Sequence, residues 1–133
     1  MNNDEKLTGH KKIIYWQNVD KLDIVVQKIL KQMPPHEYKL RSQIDNASDS
    51  VEANFVEGYY SKSTGEYLRF MKYSRRSLAE LQARVRRVYR KEYITQELYS
   101  EFEGLSMKTG YIGDKLIKSL HNKIAKGDAF TLD

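Results

Sequence analysis

The sequence predicts an all-α chain folded as an antiparallel, up-down-up-down four-helix bundle, and three observations carry that expectation. Tyr67, Met71, Ser74, Leu78, Leu81, Val85 and Val88 recur at alternating spacings of four and three, which is the seam of a helix packed at a shallow angle on other helices. Only two prolines and seven glycines occur in 133 residues, and the short alternating runs between turn clusters that announce strands are missing. Four amphipathic segments are joined by short connectors, for which an antiparallel bundle is the natural packing. The length is that of one domain with a single core.

The elements follow in order. Residues 1 to 12 are polar and unpatterned and read as a mobile N-terminal arm. A first helix is expected over Ile14 to Met33, with Val19, Leu22, Val26, Ile29 and Met33 as its stripe and Trp16 near its start. Pro34 and Pro35 end it, because proline disfavours helix at the preceding residue and donates no N–H of its own. The second helix runs from about Tyr38 to Tyr60, with Leu40, Ile44, Ala47, Val51, Phe55 and Gly58 inward. Ser63 and Glu66 have the spacing of a capping box, opening a third helix from Thr64 to about Lys91. Thr95, with Glu97 behind it, is a plausible N-cap for the fourth. Its expected stripe is Leu98, Phe102, Leu105, Thr109, Ile112, Leu116 and Leu120, ending near Asn122. The bundle therefore spans residues 13 to 122 and a C-terminal tail spans 123 to 133.

Two polar residues interrupt the second stripe. Asn54 falls between Val51 and Gly58 on the heptad count, and Glu57 sits about 60° around the axis from it. Together they read as a structural polar core, since a buried amide at a seam penalises slipped pairings and costs roughly 1 to 3 kcal/mol if left without partners.

Composition removes several chemistries. Without cysteine there are no disulfides, thiolate nucleophiles or zinc-finger sites, which fits a reducing compartment. The first twelve residues lack the apolar core of a signal peptide, and no segment approaches the roughly 18 apolar residues of a membrane span, so the chain reads as cytoplasmic. His10, His36 and His121 have no second histidine or carboxylate at a converging spacing, the paired Glu-x-x-His motifs of di-iron bundles are absent, and no glycine-rich phosphate loop follows a strand. No enzyme activity, metal or cofactor is expected.

Charge points elsewhere. The formal net charge is +5, and between Glu66 and Lys91 stand Arg69, Lys72, Arg75, Arg76, Arg84, Arg86, Arg87, Arg90 and Lys91 against only Glu66 and Glu80. Such a cluster holds phosphates or acidic protein surface, although a solvated helix face is commonly charged as well. Arg84, Arg87 and Lys91 share one side of the helix by spacings of three and four, and Arg76 extends the stripe, with Glu80 beside it. Asp45, Asp49 and Glu52 form an acidic strip on helix two, either solvated or facing a basic helix three of a neighbouring subunit. Tyrosines 59, 60, 67, 73, 89, 93, 99 and 111 suit packing or subunit interfaces better than base stacking.

The segments Leu40-Arg41-Ser42, Ser50-Val51-Glu52-Ala53-Asn54-Phe55-Val56-Glu57-Gly58-Tyr59, Glu66-Tyr67-Leu68-Arg69-Phe70 and Ser77-Leu78-Ala79-Glu80-Leu81 stand in an order and spacing that resembles the four-helix-bundle family of 23S rRNA intervening-sequence proteins. The accessory protein of diversity-generating retroelements is similar to that family. The resemblance covers about residues 16 to 120. It implies a bundle that assembles into a homopentameric ring or barrel and has no enzymatic activity; in the retroelement relative a basic pentamer binds nucleic acid and a reverse transcriptase. The chain departs from the family pattern at Glu52, where most relatives carry proline, and at Phe55-Val56, where Ile-Ala is commoner, so helix two is expected to run straighter here. The expected function is a non-enzymatic oligomeric scaffold that binds RNA or DNA through Arg76, Arg84, Arg87 and Lys91, five copies of +5 concentrating a charge of about +25. The alternative is a protein-docking adaptor whose basic face meets an acidic partner, such as a co-encoded enzyme.

Overall fold

The computed structural model describes residues 6–127. Among them are a short 3₁₀ turn, Gly9–Lys12, and four helices: α1 (Ile14–Gln32), α2 (Tyr38–Tyr59), α3 (Thr64–Arg90) and α4 (Gln96–Ala125). The helices form a four-helix bundle in which α2 and α4 each pack against both α1 and α3. The apolar stripes expected for α1, α2 and α3 are buried without exception, so the helical period of the sequence sets how these three helices are rotated.

Local chemistry fixes the ends. At the C-terminus of α1 the proline pair supplies no N–H, and the guanidinium of Arg41 donates instead to the carbonyls of Leu30 and Met33. A cation on the last carbonyls of a helix also answers its dipole. Ser63 Oγ accepts from the N–H of Glu66 at 3.3 Å, but the Glu66 carboxylate turns outward to Arg69, at 2.6 and 3.1 Å, so only half of the capping box forms. Thr95 Oγ1 accepts from the N–H of Leu98. Helix α2 runs unbroken through position 52, where Glu52 Oε2 takes the indole N–H of Trp16 at 2.8 Å.

Both terminal boundaries differ from expectation. Residues 9–12 are not arm: they form the 3₁₀ turn, with His10 against Tyr60, its N–H and Nδ1 at 3.3 and 3.0 Å from the phenolic oxygen. Helix α4 runs three residues past Asn122 and stops before Gly127, whose φ of +71° ends the helical path. The remaining residues of the tail lie outside the described residues.

The larger correction concerns α4. Leu105, Ile112 and Leu116 are only partly buried, while Ser106, Thr109, Gly110 and Gly113 occupy the buried face with Leu98, Phe102 and Leu120. Small residues bring the α4 backbone close to its neighbours. A Cβ on Gly113 would lie 2.8 Å from Cε1 of Tyr15, and one on Gly110 would lie 3.1 Å from the Arg75 guanidinium.

Tyr15 occupies the centre of this packing, 1% exposed. Ser74 Oγ donates to the carbonyl of Val51 at 2.6 Å, so its single proton is committed and the Tyr15 hydroxyl, 2.8 Å away, must be the donor to Ser74. The Tyr15 ring tilts against Phe55, centroids 5.4 Å apart. Burial pushes the Tyr15 phenol from 10.0 up to about 12, and burial also raises Tyr67.

Two outcomes follow. Above pH 10 the unfolded chain releases the Tyr15 proton and the folded chain keeps it, so this stabilising contribution is intact below pH 10 and lost as pH climbs toward about 12. The two-unit window corresponds to roughly 2 to 3 kcal/mol, and Tyr15→Phe flattens the alkaline slope in urea titrations. Gly104 has open space around it, so Gly104→Ala raises stability by about 0.5 to 1 kcal/mol. Gly113→Ala loses that gain to overpacking, which costs about 1 to 3 kcal/mol.

Candidate nucleic-acid interface

Because Met71, Ser74, Leu78, Leu81, Val85 and Val88 face inward, the opposite side of α3 is fixed as solvent. At about 100° per residue the side chains a half-turn from the buried stripe are Arg69, Lys72, Arg76, Arg87 and Arg90, all exposed. Arg86 is exposed beside them toward α4, where it lines a small cavity with Arg90, Tyr89, Tyr99 and Glu103. Tyr89 and Tyr99 are stacked in parallel, centroids 4.2 Å apart, so these two rings already use each other's faces.

The four residues chosen from sequence share an arc of about 80° around α3 but differ in exposure and pairing. Arg76 and Arg87 lie on the outer face, and the Arg76 guanidinium sits 5.6 Å from the Tyr73 ring centroid. Arg84 and Lys91 lie about 60° further round, on the flank toward α2, and Arg84 is only partly exposed. Lys91 Nζ donates to Glu37 Oε2 at 2.7 Å. That hydrogen bond, with one from Tyr93, holds the Glu37 carboxyl below its usual range, and the same contact raises Tyr93. The charge of Lys91 is thus answered within the subunit. Glu80 and Arg84, spaced for an ion pair, form none.

Other basic side chains of α3 are answered too. Arg75 Nε donates to Asp114 of α4 at 2.9 Å. Arg69 holds Glu66, lowering its carboxyl below the usual range. Lys72, Arg76, Arg86, Arg87 and Arg90 have no ion pair among the described residues, and three of these five were in the basic cluster without being singled out. Rotation about the helix axis, applied to Lys72, Arg86 and Arg90 as well, is the signal that finds them.

Asn54 and Glu57 are not a core layer of the subunit. Asn54 is half-buried and Glu57 exposed, because they lie about 60° and 120° from Val51 around α2. Asn54 Nδ2 donates to the carbonyl of Ser50 in its own helix at 2.9 Å. The buried polar layer is instead Tyr15, Ser74 and the Val51 carbonyl. Gly58 has a packing role: a Cβ there would meet Phe70 Cβ at 2.8 Å. Among the described residues no three His, Cys, Asp or Glu side chains are grouped to hold a metal, and no helix is long and apolar enough to cross a membrane.

The family model described as 23S rRNA-intervening sequence protein matches residues 11–118, which include α1, α2, α3 and most of α4. No curated protein matches the chain.

Since the Asn54 amide bonds only its own helix, Asn54→Leu changes subunit stability by less than about 1 kcal/mol. Ser74→Ala leaves the Tyr15 hydroxyl without its acceptor and takes from the Val51 carbonyl its bond across to α3, which costs about 1 to 3 kcal/mol. Urea denaturation of the two variants side by side checks the order, and a change of oligomer mass in Asn54→Leu would place its register role between copies.

Proposed function

The chain belongs to the 23S rRNA-intervening sequence protein family, and on that premise we propose that it is a non-enzymatic scaffold that binds nucleic acid, RNA or DNA, through the outer face of α3. In this reading each subunit is an antiparallel up-down-up-down bundle, five subunits assemble into a homopentamer, and the assembly works in the cytoplasm.

The observation that carries the reading is the row Lys72, Arg76, Arg86, Arg87 and Arg90, exposed on a rigid helix and without carboxylate partners among the described residues. Cations left unpaired on a helix surface attract polyanions, and each phosphate they neutralise releases a counterion. One subunit offers few such contacts. Repetition around an oligomer multiplies them, because after the first engagement the others bind at high effective concentration. Arginine forks suit phosphate oxygens, and side chains on one convex face reach a backbone more readily than base edges, so the contact is indifferent to sequence.

The test is fluorescence anisotropy of a short RNA and a short duplex DNA across a salt series. Replacing Arg76, Arg87 and Arg90 together by glutamine lowers the salt slope by about one for each phosphate no longer neutralised, while the Arg84, Lys91 double glutamine variant changes it less because Lys91 is held by Glu37. Absence of binding at low salt, or an unchanged slope in the triple variant, overturns the proposal and leaves the basic face to an acidic protein partner.

A further inference from the structure

A groove of about 830 Å³ runs along the outer face of α2 to the start of α3, where Glu66 and its partner Arg69 line it. Its floor includes Ala53, Val56 and Phe70, and Asp49, Glu52 and Glu57 line it as well. Glu52 is engaged by Trp16. Glu66 and Arg69 answer each other, while Asp49 and Glu57 carry no ion pair among the described residues, so the unanswered charge of the groove is negative.

Helix α4 presents the complementary surface. Met107 and Tyr111 are each 64% exposed and stand one turn apart on the side away from Phe102 and Thr109. Lys108 and Lys115 lie on one flank and Lys118 beyond, all exposed and without ion pairs among the described residues, while Glu103 and Asp114 are exposed on the other flank, Asp114 held by Arg75. Lys115 Nζ lies 5.3 Å from the Tyr111 ring centroid. With Asp114 answered by Arg75, the unanswered charge beside this apolar ridge is mainly positive, which suits an apolar groove whose unanswered charge is negative.

Two other exposed surfaces fit less well. The outer face of α3 has no exposed large apolar side chain and cannot fill the groove. On α1, Ile14 and Ile24 are exposed but stand about 15 Å apart along the axis.

We infer that the outer face of α4 of one copy seats in the α2–α3 groove of the next, with Met107 and Tyr111 over Val56 and Phe70 and the lysines against Asp49 and Glu57. The occupant is a second copy of this chain, and the inference rests on the homo-oligomeric part of the reading above. The two patches are different surfaces, so the contact is head-to-tail: it propagates from copy to copy and closes into a ring when the rotation between copies allows. Electrostatic complementarity sets its register, and the apolar ridge supplies the burial.

Light scattering coupled to gel filtration tests it. Wild type runs at a multiple of 15.7 kDa. Asp49→Lys with Glu57→Lys, and separately Lys115→Glu with Lys118→Glu, each reduce the species at micromolar concentration to a single subunit, with helicity by circular dichroism unchanged. All four substitutions in one chain restore the wild-type mass. Met107→Asp, which leaves every charge of the groove in place, also reduces the mass. A monomeric wild type overturns both this contact and the oligomeric reading. An oligomeric wild type whose reversal variants keep its mass, whose fourfold variant stays monomeric, or which is broken by Ile24→Lys and not by Met107→Asp, overturns this contact alone.

Discussion

The hydroxyl of Tyr15 survives in the dry centre of the bundle because Ser74 accepts its proton and passes its own to the carbonyl of Val51. The chain of bonds runs from α1 through α3 to α2, and the fourth helix joins through absence, since only a glycine at 113 leaves room for the ring. A hydroxyl buried without a partner would cost about 1 to 3 kcal/mol, so other rotations of α3 carry a penalty that apolar side chains alone would not impose. Holding Ser74 inward also holds Met71, Leu78 and Leu81 inward. The residues half a turn away, Lys72, Arg76, Arg87 and Arg90, then have nowhere to go but solvent. The basic face is a consequence of the polar node on the other side of the same helix.

Ion pairing sharpens that face by subtraction. Arg75 with Asp114 and Arg69 with Glu66 each have a well-exposed partner, and pairs of this kind add little to stability; Lys91 with Glu37 is more covered. Their effect on the field is larger. Lys91 and Arg75 lie on the flanks of α3, next to α2 and α4, and their charges are answered there. What remains unanswered is the strip pointing outward, so the positive potential is concentrated where a long polyanion makes the most contacts with the least obstruction.

Legibility in the sequence tracks how much hydrophobic contrast each interface carries. The stripes of α1, α2 and α3 are built mostly from Val, Leu, Ile, Phe, Met and Tyr and could be read by counting. In α4 the count finds Leu98, Phe102, Thr109 and Leu120, but the buried face is completed by Ser106, Gly110 and Gly113, which carry no apolar signal; counting therefore drifts toward Leu105, Ile112 and Leu116 at its edge. Asn54 is misplaced for the opposite reason. A heptad position does not say whether an amide bonds inward or to its own backbone, as it does here to Ser50. The basic cluster is legible as composition, but pairing is not: that Lys91 meets Glu37, 54 residues away in sequence, depends on how α2 and α3 are packed. The role of Arg41 on the last carbonyls of α1 is invisible for the same reason.

The net charge of +5 conceals a partition among faces. Asp20, Asp23, Asp45 and Asp49 gather where α1 meets α2, a row of unpaired cations stands on α3, and α4 carries Met107 and Tyr111 with lysines on one flank. Over distances near the screening length of about 8 Å at physiological salt, the acidic surface of a lone subunit opposes a polyanion approaching its basic strip from the side. A head-to-tail contact that covers Asp49 and Glu57 with lysines removes part of that opposition while leaving the outer face of α3 uncovered. Assembly and nucleic-acid binding would then be coupled through the field without any change of shape. In the assembly proposed above, each added subunit would contribute its own strip and also quiet the acidic edge of its neighbour, so the affinity for a polyanion would grow faster than the count of arginines.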